Sequence, residues 1–150
     1  MVRRTRCCLK RRGLSVSMGV VPAEVLFDYR YFSLFNSPYP SHARGQAVDL
    51  YPELAAAPSP VSGEVCDIHR VRGPAQSYSE EFDYLIVIDT GTQYARVLHV
   101  EPTVEVGDDV TLGCSLGRLV RSGYFSPWVE NHIHLEFRSY SADPLRASGS

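Results

Sequence analysis

Lysine is nearly absent from this chain: of 15 basic residues, only Lys10 is a lysine. A lipoyl- or biotinyl-carrier domain needs a lysine on an exposed hairpin, so that class is disfavoured. The four cysteines, Cys7, Cys8, Cys66 and Cys114, contain no C-x-x-C pair, which argues against a thiolate zinc site. No apolar run approaches the roughly 18 residues that a membrane-spanning helix requires. An excess of one charge is missing too: the formal net charge is −2, which gives no electrostatic reason to expect nucleic acid as a partner. Nor does any segment hold the 3.6-residue apolar period of a long helix.

What is present begins with a basic arm. Residues 1–13 hold Arg3, Arg4, Arg6, Lys10, Arg11 and Arg12 with no acid. Such an arm can touch nucleic acid or anionic lipid, but the preferred reading is a solvated, disordered tail over 1–19, or an early start with Met18 as the true one. The stretch after it is broken by Ser15, Ser17 and Gly19 and meets Pro22. That is a poor signal-peptide core, so a cytoplasmic location is the default. The remaining length fits one domain over 20–140, with a flexible tail over 141–150.

Within that domain the pattern is short strands and turns. Ala47–Tyr51 is a strand candidate closed by Pro52. Glu53–Ala57 suits a helical turn, stopped by Pro58 and Pro60. Val61–Ile68 is a strand with Gly63 inside it, which suggests a bend or close packing. Residues 72–81 form a polar loop. Tyr84–Asp89 is β-branched and almost continuously apolar, as a strand buried on both faces should be. After the turn at Thr90-Gly-Thr, Tyr94–Val100 completes a hairpin. Cys66 and Cys114 each border an apolar segment and read as buried free thiols rather than a disulfide. Many short strands separated by glycine and proline predict an all-β fold, an antiparallel sandwich or barrel.

The chemistry lies in the histidines. In the strand His132-Ile-His134-Leu-Glu136-Phe, side chains two apart share a face. His132, His134 and Glu136 therefore project together, while Ile133, Leu135 and Phe137 enter a core. Two imidazoles on one rigid strand begin a metal site. His99 sits in the alternating run Val97–Glu101, on the side of Val97 and Glu101. His42 follows a Pro-Tyr-Pro-Ser loop and precedes Asp49, whose carboxylate is hard enough for zinc. His69 has no evident role, and Asp108 and Asp109 read as a turn. Tyr124, Phe125 and Trp128 form either a cleft wall or, alternatively, core packing or a loop anchor. Tyr29, Tyr31 and Tyr39 are candidates to line the same groove.

The run Asn131-His-Ile-His-Leu-Glu-Phe-Arg resembles the His-Leu-His-Phe-Glu-x-Arg signature of the lysostaphin/LytM-type zinc metallopeptidases. Arg96-Val-Leu-His-Val resembles that family's Tyr-Ala-His-Leu segment. The Val/Gly stretch over 104–117 and Pro60-Val-Ser-Gly-Glu-Val resemble its remaining strands. The resemblance covers roughly His42 to Arg138. It implies the family's duplicated hybrid motif, a barrel-sandwich hybrid with a central groove. It also implies Zn2+ held by His42, Asp49 and His134, with His99 and His132 as catalytic histidines. The implied activity is endopeptidase cleavage of peptides, cell-wall peptides among them, by a zinc-activated water.

One departure matters. The His42–Asp49 spacing is three residues longer than the family's His-x-Gly-x-Asp pattern, so a bulge or turn must absorb the extra length. A catalytically degenerate member, acting as a binding or regulatory module, is the alternative. A cupin also uses His-x-His, but it needs a histidine further downstream, and His134 is the last in the chain.

Overall fold

Short β-branched and aromatic runs cut by glycine and proline favour strands joined by tight turns. The computed structural model describes residues 31–33, 47–53 and 55–146. Those residues form ten strands and no helix. The larger sheet has seven antiparallel strands. In spatial order they are β1 (Tyr31–Ser33), β2 (Ala47–Tyr51), β10 (Ile133–Arg138), β6 (Tyr94–Leu98), β5 (Phe82–Asp89), β4 (Gly63–Arg72) and β8 (Asp109–Val110). The smaller sheet runs β3 (Ala56–Pro58), β9 (Ser115–Leu119) and β7 (Val100–Pro102). The all-β antiparallel expectation is met. Among the described residues no helix is long and apolar enough to cross a membrane. The basic segment 1–19 and its possible start at Met18 lie outside the described residues, as do Tyr29, Tyr39 and His42.

Register explains how the large sheet separates its two faces. Val48 of β2 stands opposite Leu135 of β10, which stands opposite Val97 of β6, and that opposite Ile86 of β5. All four are fully buried. A second apolar row runs Phe137, Ala95, Ile88 and Val65. Ala57, Val100, Leu116 and Leu119 of the small sheet join the same core. Each fully buried aliphatic side chain stabilises the fold by roughly 1.5–3 kcal/mol, so these rows fix the register. The alternate positions then face the other way. Asp49 stands opposite His134, and His134 opposite Leu98. One pair along, Glu136 stands opposite Ala47 and Arg96. A slip of one residue would turn His134 into the core.

β5 is buried on both faces, as its composition predicted: Leu85, Ile86, Val87 and Ile88 are all buried. Gly63 is a close approach, since a Cβ there would meet the Asp89 carbonyl oxygen at 2.2 Å.

Other expectations are corrected. In place of the helical turn expected over Glu53–Ala57, Ala56 and Ala57 begin an edge strand, β3. Pro58 holds the residue before it in extended backbone and lacks the N–H that only an edge can spare. Cys66 is free but exposed, at a β-bulge where register shifts between Val65 and Asp67. Cys114 is buried but disulfide-bonded rather than free. His99 does not continue an alternating strand. It is the one non-glycine residue with positive φ (70°) among the described residues. Before it, β6 belongs to the large sheet; after it, β7 belongs to the small one. His99 is thus the corner where the chain changes sheets, in a conformation that costs a non-glycine residue of order 1–3 kcal/mol.

Candidate functional site

The polar face of β2 and β10 brings four of the five expected residues together. Asp49 and His134 are direct cross-strand partners, with His134 Nδ1 2.9 Å from Asp49 Oδ1. His132, just before β10, has Nε2 3.7 Å from Asp49 Oδ2. The His99 ring centroid lies 5.7 Å from that of His132 and 6.2 Å from that of His134. All three imidazoles are largely sequestered from water. The fifth residue, His42, lies outside the described residues.

His99 and His132 are each held by one nitrogen. His99 Nδ1 is 2.6 Å from Asp83 Oδ2. The same oxygen accepts from Ser122 Oγ at 2.6 Å, and Asp83 Oδ1 accepts from the Tyr84 N–H at 2.7 Å. Burial works to raise the Asp83 carboxyl, but the His99 and Ser122 hydrogen bonds outweigh it and hold the group below its ordinary value. The carboxylate can only accept, so His99 carries its proton on Nδ1. His132 Nδ1 lies 2.9 Å from the Glu130 carbonyl oxygen, which also can only accept. Burial pushes His132 down to about 4 against the pull of Asp49. At neutral pH the ring is therefore uncharged, with the proton on Nδ1 and the lone pair on Nε2, the nitrogen facing Asp49.

His134 differs. Its Nδ1 faces Asp49, and its Nε2 is 2.8 Å from Glu136 Oε1. Burial alone would lower this ring, but the two carboxylates push it up to about 9. With an acceptor on each side, both nitrogens carry protons. Glu136 in turn accepts from Arg96 Nη1 at 2.5 Å and Arg138 Nη2 at 3.0 Å. Burial works against its charge, yet His134 first and then the two arginines bring it down to about 2.

Two side chains wall the site. Phe125 stacks on His132 with centroids 4.2 Å apart and meets His99 edge-on at 4.6 Å. Tyr51 lies 4.8 Å from the His132 ring. Of the expected aromatic trio, only Phe125 belongs to the wall, because Tyr124 and Trp128 are exposed. His69 lies apart, exposed and paired with Asp67.

Asp83, Ser122 and the Glu130 carbonyl were not foreseen from sequence. Asp83 is an acid at the head of an apolar strand, 16 positions from the histidine it holds. Its burial is the only signal that distinguishes it, and that appears only once the chain is folded.

Among the described residues no group of three His, Cys, Asp or Glu side chains stands ready to hold a metal ion. Two donors do face each other, Asp49 Oδ1 and His134 Nδ1. Glu136 lies on the far side of the His134 ring, and the His132 nitrogen is further from Asp49, so neither adds a third. The donor pair nevertheless has the character of a cation site. A buried imidazole between two carboxylates demands positive charge, and a ligating histidine characteristically gives its other N–H to a carboxylate, as His134 Nε2 does to Glu136.

The family model that matches this chain, over residues 20–150, is described as "Domain of unknown function (DUF8155) N-terminal domain". No curated protein and no solved structure matches it.

Proposed function

This chain belongs to the DUF8155 N-terminal domain family, and we propose that it is a zinc-dependent metalloendopeptidase of the lysostaphin/LytM type. The observation that carries this reading is the Asp49–His134–Glu136 relay: facing donors 2.9 Å apart, with the second imidazole nitrogen held by a carboxylate at 2.8 Å. His42, Asp49 and His134 are the residues that would hold Zn2+. The bound ion supplies a Lewis acid and a water ionisable near neutral pH.

The chain's own groups divide the remaining work. Glu136, kept charged by Arg96 and Arg138, fixes the His134 ring so that Nδ1 points at Asp49. His132 is neutral, with its Nε2 lone pair turned into the site, and so can accept a proton from a nucleophilic water. His99 holds its proton on Nδ1 against Asp83. That leaves the Nε2 lone pair to take up a second proton; the ring, then positive and stabilised by the Asp83 carboxylate, can donate from Nε2 to a developing oxyanion. Phe125 and Tyr51 shield these imidazoles from water. Peptides of the cell-wall kind are the substrate class the resemblance brings.

The test is metal content and cleavage of a glycine-rich peptide by the full chain refolded with zinc. One zinc per chain is expected, with hydrolysis that disappears on chelation and returns with zinc. A folded protein that takes up no zinc and cleaves nothing would overturn the reading. It would favour the alternative of a binding or regulatory module, to which the long His42–Asp49 spacing already points.

A pH dependence follows from the His134 proton. Zinc at this imidazole must displace the proton on Nδ1. In the zinc-free fold that proton leaves near pH 9, above the ordinary value of 6.5. Zinc affinity should therefore rise about tenfold per pH unit between about pH 6.5 and 9, then level off. The same proton stabilises the zinc-free fold: its contribution is fully present below pH 6.5 and is lost as pH climbs through about 9. Chelator competition across that range measures the affinity, and a flat profile would rule out His134 as a ligand.

A further inference from the structure

The loop between β9 and β10 is built around one side chain, Arg121. Its guanidinium reaches four oxygens of the segment that follows it. Nη1 donates to the Val129 carbonyl and, at 3.2 Å, to Asn131 Oδ1. Nη2 donates to the Ser126 carbonyl at 3.1 Å and the Pro127 carbonyl at 2.9 Å. The planar group lies 5.4 Å from the Tyr78 ring and 5.7 Å from the Phe125 ring.

The arginine is itself fastened from the β4–β5 loop. Glu80 Oε2 accepts from the Arg121 backbone N–H at 2.7 Å, and the Arg121 carbonyl accepts from the Glu80 N–H at 2.9 Å. Tyr78 donates its hydroxyl to the Phe125 carbonyl at 2.6 Å. At Gly123 the two loops touch so closely that a Cβ would stand 1.9 Å from the Pro74 carbonyl oxygen.

The fork spans carbonyls on both sides of Trp128 and ends at Val129 and Asn131. Between those two lies Glu130, whose carbonyl holds His132 Nδ1 at 2.9 Å. Loops at surfaces are ordinarily mobile, and a carbonyl that must fix a ring tautomer cannot be. Arginine suits the task where lysine does not, because its donors lie in one rigid plane and engage several acceptors together.

We propose that Arg121 is a positioning residue for His132: by clamping residues 126–131 it aims the Glu130 carbonyl and thereby keeps the His132 proton on Nδ1 and the lone pair on Nε2. The catalytic consequence rests on the peptidase reading, but the positioning itself does not.

The experiment is 15N NMR of the histidine side chains in the zinc-free protein at neutral pH, comparing wild type with Arg121→Met and Arg121→Lys. In wild type the His132 Nδ1 resonance is expected at a protonated position and Nε2 at an unprotonated one. In Arg121→Met the two should converge towards the values of a tautomer mixture, and in Arg121→Lys they should move part of the way. His99, held by Asp83 on β5, should keep its pattern in all three proteins, which separates a local change from unfolding. If Arg121→Met does not fold, Arg121→Lys carries the same comparison. A folded variant in which His132 stays on a single Nδ1–H tautomer overturns the proposal, whatever the protein's zinc content. Where hydrolysis is measurable, kcat should fall about tenfold or more with KM little changed.

Discussion

On the proposed zinc-peptidase function, His134→Ala is expected to take up no zinc and to lose at least about a thousandfold of the hydrolysis. The substitution removes one of the two facing donors, and no described side chain can replace it. His132 Nε2 is turned towards Asp49 from 3.7 Å, but its ring is tied by Nδ1 to the Glu130 carbonyl. The zinc-free fold will register the change as well. With the imidazole gone, Asp49 loses a buried cationic partner, and Glu136 loses His134 while retaining Arg96 and Arg138. Breaking a buried pair by deleting one member costs about 3–5 kcal/mol in general. The two arginines that still face Glu136 put the expected loss at the lower end. Metal analysis and a thermal melt of the same preparation measure both effects. A variant that retains one zinc per chain would remove His134 from the ligand set.

Asp83→Asn is expected to lower kcat by about a hundredfold or more while leaving zinc content and KM nearly unchanged. The carboxylate uses both of its oxygens as acceptors. Oδ2 takes His99 Nδ1–H and the Ser122 hydroxyl, and Oδ1 takes the Tyr84 N–H. An amide has one oxygen. If that oxygen faces His99, the NH2 group meets the Tyr84 donor; if the amide flips, the NH2 meets His99 and drives the proton from Nδ1 to Nε2. Either way the negative charge that stabilises a positive His99 is gone. A positioned acid or base contributes typically 10²–10⁴-fold, and the estimate sits within that range. Asp83 touches neither of the described metal donors, so the metal content should separate this variant from His134→Ala. Loss of zinc in Asp83→Asn would show that the carboxylate supports the fold of the site rather than the chemistry of His99.

Much of this arrangement is legible in the residues themselves, because strand geometry has a fixed period. Alternation in 132–137 places Ile133, Leu135 and Phe137 inside and His132, His134 and Glu136 on the opposite face, as the structure does. The apolar run of β5 announces burial on both sides. What escapes the sequence is non-local. Simple alternation would carry a strand through His99, whereas the need to pass from one sheet to the other turns the backbone left-handed there. Asp83 and the Glu130 carbonyl gain their roles from partners that only folding brings near. Arg121 looks like one more surface arginine until its loop closes on it. The helical turn before Pro58 failed because pairing with β9 outweighs local propensity.

The position of β10 has a consequence for how the protein is made. It is the last of the ten strands in sequence, yet it lies between β2 and β6 in the interior of the sheet. A chain emerging from the ribosome therefore carries two unsatisfied strand edges until residues 133–138 are threaded between them. Closing the sheet and assembling the reactive cluster become a single late event. An unfinished or clipped copy is a sticky fragment in which the cluster never assembles.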